Sequence, residues 1–240
     1  MKNIPLNERL IFALDVDSQD EAKRWLDRLD DQVQIYKVGL QLFLAGWFPV
    51  IDMILKRNYK VMIDLKFFDI PETVGLAVRE LAKRHATFIT VHGNDPILRA
   101  AVAERQDTKV LAVTVLTSYD ESDMRDMGMK CTVKELVLHR AKKALELGCD
   151  GVISSGLEAK DLRSGLGEKL LIVTPGIRPG TNDFAKDDQR RISNAGDAIR
   201  NGADYVVVGR PIRDAKDPLE VVRQMHDEIA KGLDSLRSIQ

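Results

Sequence analysis

The chain has 240 residues, 44% of them hydrophobic and only 5% aromatic, with 36 basic side chains against 37 acidic ones. That is ample chain for a large core, and the interspersed charges argue against disorder and against a nucleic-acid binder working through a basic face. Any anionic ligand is expected to be small and held in a local cationic pocket. Two cysteines, Cys131 and Cys149, stand in no C-x-x-C or metal-ligand spacing and read as inert thiols in a reducing compartment. The stretch 1–10 lacks an apolar core and a cleavage pattern, so no secretory signal is expected. The most apolar later stretch, 39–55, is interrupted by Gln41, Pro49 and Asp52 and does not read as a membrane span. A cytoplasmic protein with neither membrane nor nucleic acid as partner is the expectation.

In chain order, short β-branched and apolar runs at 10–14, 34–38, 60–65, 87–91, 110–115, 151–153, 170–174 and 205–208 read as strands. The stretches between them carry helical period and helix-boundary chemistry. Ser18-x-x-Glu21 and Thr132-x-x-Glu135 are capping boxes, Pro71 and Pro218 suit first helical turns with Asp217 as an N-cap, and Gly148 and Gly202 suit helix ends. Eight strands alternating with helices point to an α/β chain forming a (β/α)8 TIM barrel, a single domain over residues 1–240. An open doubly wound sheet is the main structural alternative. Two intervals, 118–130 and 178–191, are longer than the rest. Both follow strand C-terminal ends, where barrel sites are built, and are natural lid segments.

Polar side chains gather at those strand ends. Strand one ends in Asp15, strand two carries Lys37, and strand three ends in Asp64-Leu-Lys66, followed by Asp69. Period-two alternation puts Met62, Asp64 and Lys66 on one face and Val61, Ile63 and Leu65 on the other; the apolar set belongs against the helices, so the charges point into the mouth. Converging opposite charges would form an alternating network in which each lysine is held protonated by adjacent carboxylates. Two further segments, Thr174-Pro-Gly-Ile-Arg-Pro-Gly180 and Val208-Gly-Arg-Pro-Ile212, follow strands seven and eight, where barrels often bind phosphate. Glycine there lets backbone amides approach an anion, and Arg178 or Arg210 can add a charge-assisted fork. Among four histidines only His92, at the end of strand four, is placed to matter, as a hydrogen-bonded wall residue. No metal-ligand spacing, P-loop or dinucleotide fingerprint is present. The residues alone therefore suggest a barrel that binds a small phosphorylated molecule.

Asp64-Leu-Lys-Phe-Phe-Asp-Ile-Pro71 resembles the D-x-K-x-x-D-I-P signature of the orotidine 5′-monophosphate decarboxylase family. The likeness continues through Ala13-Leu-Asp15, Tyr36-Lys-Val-Gly39, Leu116-Thr-Ser118, Thr174-Pro-Gly-Ile-Arg178, Asp187-Asp-Gln-Arg190 and Val208-Gly-Arg-Pro211, in the family's order. The shorter D-x-K-x-x-D pattern is shared with phosphosugar decarboxylases and synthases on the same barrel; the Ile-Pro extension and the Gln189 loop make the match specific.

The resemblance implies a homodimeric, cofactor-free and metal-free decarboxylase that makes UMP. It implies that Lys66 is the general acid at C6 of the pyrimidine, that Asp64 lies beside the departing carboxylate, and that Asp69 reaches into the neighbouring subunit's site. Lys37 would link the network to the ribose and Asp15 would bind the ribose. Thr73 and Thr117 match nucleotide-contacting positions, and Gln189, Gly209 and Arg210 match the phosphate grip, with Arg178 nearby. The chain departs from the commonest bacterial pattern at Phe68, where histidine is frequent, at Glu72, where asparagine is frequent, and at Asn194-Ala-Gly196, which replaces a common Thr-Pro. None of these is a charged member of the array. The alternatives are a magnesium-dependent phosphosugar decarboxylase or aldolase-type synthase, and a nucleotide-sensing barrel without catalysis.

Overall fold

The computed structural model describes residues 2–180 and 191–238. Its strands are β1 (Leu10–Ala13), β2 (Ile35–Gly39), β3 (Lys60–Phe67), β4 (Phe88–His92), β5 (Lys109–Val113), β6 (Gly151–Ile153), β7 (Leu171–Thr174) and β8 (Tyr205–Val208). They close in sequence order into one parallel barrel, β8 pairing back onto β1 through Leu10 with Val206, Ile11 with Val207 and Phe12 with Val208. The helices are α1 (Gln19–Leu29), α2 (Leu40–Leu55), α3 (Pro71–Ala82), α4 (Asp95–Glu104), α5 (Glu121–Asp126), α6 (Val133–Glu146), α7 (Ala159–Leu166), α8 (Ala195–Arg200), α9 (Arg210–Arg213) and α10 (Pro218–Arg237). The barrel reading therefore holds and the open sheet does not.

Strand alternation builds two cores. Ile11, Ile35, Met62, Phe88, Leu111, Val173 and Tyr205 fill the barrel interior, where Phe88 and Tyr205 meet edge to face at 5.3 Å. Their neighbours Phe12, Tyr36, Val61, Ile63 and Ile89 face outward onto the helices in a larger cluster. Met62 lies inward while Val61 and Ile63 lie outward, which is the alternation read from the sequence.

The helix boundaries follow their caps. The Ser18 hydroxyl accepts the Glu21 amide, Thr132 and Glu135 form a reciprocal box, Asp217 accepts from Leu219 and Glu220, and Pro71 and Pro218 begin their helices. Gly148 and Gly202 take positive φ of 84° and 102° at helix ends. The 118–130 interval contains α5, started by an Asp120–Asp123 capping box. Of the 178–191 interval, residues 181–190 lie outside the described residues. Helix α2 is broken at Trp47, φ 46°, just before Pro49. Among the described residues no helix is long and apolar enough to cross a membrane.

Candidate active site

The C-terminal ends of the strands open into a cavity of about 480 Å³. Asp15, Lys37, Asp64 and Lys66 line it from β1, β2 and β3, while Gly176, Arg178, Gly209, Arg210 and Arg213 line it from the segments after β7 and β8. Leu116, Thr117 and Ser118, after β5, complete the wall.

The four charges form one alternating chain. Lys37 Nζ lies 3.0 Å from Asp15 Oδ1 and 3.5 Å from Asp64 Oδ2, and Lys66 Nζ lies 2.9 Å from Asp64 Oδ1. Lys37 and Asp64 are 8% and 9% exposed, so both ions are almost wholly removed from water. For Lys37 burial opposes the charged form, but the carboxylates of Asp64 and Asp15 outweigh it and raise the ammonium's pKa. Burial likewise opposes the Asp64 carboxylate, and Lys37, Lys66 and a hydrogen bond from Thr90 overturn it, leaving the carboxyl below its ordinary value. Lys37 and Asp64 are therefore both ionised throughout the neutral range. The array stands in the same cavity as three arginines, so the mouth combines cationic side chains from the segments after β7 and β8 with a fixed carboxylate–ammonium pair from β3.

Gly39 makes room for this array: a Cβ there would sit 3.2 Å from both Asp15 Oδ1 and Lys37 Nζ. Arg213, which the sequence reading passed over, donates to the Asp15 carbonyl at 3.0 Å and lines the cavity. Thr90, also passed over, is fully buried; its Oγ1 donates to Asp64 Oδ1 at 3.0 Å and accepts the Lys66 amide at 3.0 Å. A threonine inside an apolar strand gives no outward sign of such a role, although its place beside Val91 and His92 in period-two register with Phe88 would have put it inward.

A second buried ion pair braces the wall. Arg191 meets Glu158 at 2.6 Å and donates to the carbonyls of Val115 and Leu116 at 3.1 and 2.9 Å, while Ser154 and Ser155 donate to the same glutamate. The segment after β5 that carries Thr117 is thereby tied to the loops after β6 and β7.

Of the residues singled out from the sequence, Asp15, Lys37, Asp64, Lys66, Thr117, Arg178, Gly209 and Arg210 all line the cavity. Asp69 and Thr73 are exposed and do not line it; the Asp69 carboxylate accepts the Ile70 amide at 2.6 Å. Gln189 lies outside the described residues. His92, expected as a hydrogen-bonded wall residue, does not line the cavity; its half-buried ring packs on Phe68 at 4.5 Å between ring centres, tilted by 37°, and burial, Arg140 and Lys66 lower its pKa. Cys149 is buried, its thiol pushed up to about 12, which fits an inert side chain. Among the described residues no three His, Cys, Asp or Glu side chains group as a metal site would need.

A closed parallel barrel with an ion-paired Asp/Lys array and an arginine-rich rim at its C-terminal mouth defines an enzyme-like site for a small anionic molecule. A family model described as "Orotidine 5'-phosphate decarboxylase / HUMPS family" matches residues 8–225, and the chain belongs to that family. The orotidine 5'-phosphate decarboxylase of Methylococcus capsulatus is 52% identical over 236 residues, covering 96% of this chain and 97% of that one. The corresponding protein of Xanthomonas euvesicatoria is 46% identical over 230 residues, 95% of this chain and 94% of the other. Among solved structures, the orotidine 5'-phosphate decarboxylase from Lactobacillus acidophilus superposes with a TM-score of 0.81 at 34% identity, covering 92% of this chain and 99% of that one.

Proposed function

We propose that this chain decarboxylates orotidine 5′-monophosphate to UMP and CO2, the last step of UMP synthesis, without metal or organic cofactor. The observation that carries the reading is the Asp15–Lys37–Asp64–Lys66 chain of ion pairs sharing one cavity with Arg178 and Arg210. Loss of CO2 breaks the bond at C6 heterolytically and leaves the electron pair in an in-plane orbital that the ring π system cannot absorb. Stabilisation must be electrostatic, and the Lys66 ammonium is the group to supply it. Its Nζ then passes a proton to C6, giving UMP and a neutral amine that solvent reprotonates. Asp64 holds Lys66 in place and lies beside the departing carboxylate.

Gly209, Arg210, Arg178 and Gln189 are assigned to the phosphate, Asp15 and Lys37 to the ribose, and Thr73 and Thr117 to nucleotide contacts. Binding energy gathered at the phosphate acts on the remote reacting centre; a grip worth about 4 kcal/mol in the transition state corresponds to about a thousandfold in rate. The whole chain acts as one decarboxylase domain in the cytoplasm.

The active form is a homodimer in which Asp69 completes the neighbouring subunit's array. Supporting this, Leu40, Leu44, Trp47, Phe68, Ile70 and Leu76 are large apolar side chains left exposed on α2, the β3–α3 connection and α3, with Phe68 and Ile70 on either side of Asp69 in the chain. The test is a mixture of Lys66→Ala and Asp69→Ala proteins, each inactive alone toward orotidine 5′-monophosphate. After verified subunit exchange the mixture regains activity, because each heterodimer holds one intact site. A mixture that stays inactive overturns the shared site.

A further inference from the structure

We infer that Thr90 is a positioning residue for the reacting pair, one hydroxyl setting both the Asp64 carboxylate and the backbone turn that carries Lys66; this deepens, and rests on, the decarboxylation reading. Strands β3 and β4 are in register at Ile63 with Ile89 and again at Phe67 with Val91, so β3 uses four residue steps where β4 uses two. The excess is a bulge, and it contains Asp64, Leu65 and Lys66. Within it Lys66 takes φ 48°, a left-handed conformation that an L-residue with a long side chain adopts only when the surroundings impose it.

The bulge takes the Lys66 amide out of the regular β3–β4 ladder, and the Thr90 oxygen accepts it at 3.0 Å. The same hydroxyl has one proton to give, and it goes to Asp64 Oδ1 at 3.0 Å. Lys66 Nζ meets that same oxygen at 2.9 Å, while Lys37 faces Oδ2 at 3.5 Å. Thr90 thus distinguishes the two carboxylate oxygens: Oδ1 is fixed toward Lys66 and Oδ2 is left to Lys37. Without the hydroxyl, the carboxylate is free to turn toward Lys37 and the Lys66 amide loses its buried acceptor. Thr90 is fully buried, so water does not replace the hydroxyl.

Both contacts concern the reacting end of the site rather than the phosphate end, so their loss falls on kcat and leaves KM nearly unchanged. Thr90→Val keeps the side chain's shape and removes both hydrogen bonds; Thr90→Ser keeps the hydroxyl; Thr90→Ala removes it with less bulk, should the valine protein fail to fold. With orotidine 5′-monophosphate, the valine or alanine protein is expected to lose about a hundredfold in kcat with KM within about threefold of wild type, and the serine protein to recover most of the loss. A kcat within about threefold of wild type in the hydroxyl-free protein, a loss carried by KM alone, or a serine protein as impaired as the valine one overturns the inference.

Crystal structures of the unliganded variants give a readout that needs no turnover. Lys66 is expected to leave the left-handed conformation and its Nζ to part from Asp64 Oδ1 in the valine or alanine protein, but not in the serine one. Unchanged geometry overturns the inference. A wild-type protein without turnover would instead overturn the decarboxylation reading, and the crystal structures would still decide the role of Thr90.

Discussion

Lys37 and Asp64 owe their charges to each other, and their pH behaviour follows. The Asp64 carboxyl is lowered from its ordinary 3.8, so its contribution to stability is complete above that value and is lost as pH falls through the lower folded-state pKa. Lys37 is raised from 10.5, so its contribution is complete below that value and fades only as pH climbs through the higher folded-state pKa. Urea unfolding of wild type and Asp64→Asn should therefore give a stability difference that is flat from about pH 5 to 8 and shrinks below about pH 4. A difference that already declines between pH 7 and 5 would contradict the ionised array. At this scale the charged residues were legible because buried charge at successive strand ends is costly unless partnered. Thr90 was not, because a hydroxyl in an apolar strand acquires its meaning only when β3 bulges against it. Arg213 escaped notice because its bond to the Asp15 carbonyl joins opposite ends of the chain.

At the scale of elements, alternation placed Met62, Asp64 and Lys66 on one face correctly, and the caps at Thr132, Pro71 and Asp217 located three helix starts. Strand ends moved by a residue or two: β3 runs on to Phe67 and β4 to His92, while β5 stops at Val113. These limits depend on pairing partners rather than local composition. The same dependence fixes Gly151 at the start of β6, the shortest strand. A Cβ there would lie 2.6 Å from Leu171 Cβ, 2.7 Å from the Leu171 carbonyl and 2.8 Å from Leu111 Cδ2. Backbone and packed core cannot yield cheaply, so Gly151→Ala should destabilise the barrel by about 1–3 kcal/mol and lower Tm by about 3–10 °C. Calorimetry of the folded variant checks this; a Tm equal to wild type would mean that the barrel interior is looser than the structure has it. The Glu158–Arg191 brace belongs to this scale too, and its partners stand 33 residues apart in regions of the chain with no local signal linking them.

For the molecule as a whole, the recurrence of strand and helix was enough to read the barrel, because a parallel sheet needs crossover helices and closure removes its edges. The two halves of the site, Asp/Lys from the first three strands and Gly/Arg from the last two, became neighbours through the pairing of β1 with β8. The exposed apolar side chains near the proposed subunit contact were not legible as a set, since they are spread over 40–76 and only Phe68 and Ile70 fall within the signature motif. The central claim is that this barrel mouth decarboxylates orotidine 5′-monophosphate by fixed charge alone. The direct measurement is the ultraviolet loss of that nucleotide in the presence of excess EDTA, with the product identified. Chelator-insensitive conversion to UMP is the predicted result. Folded, dimeric protein that leaves the nucleotide untouched, or that turns over a phosphosugar only when magnesium is restored, would contradict it.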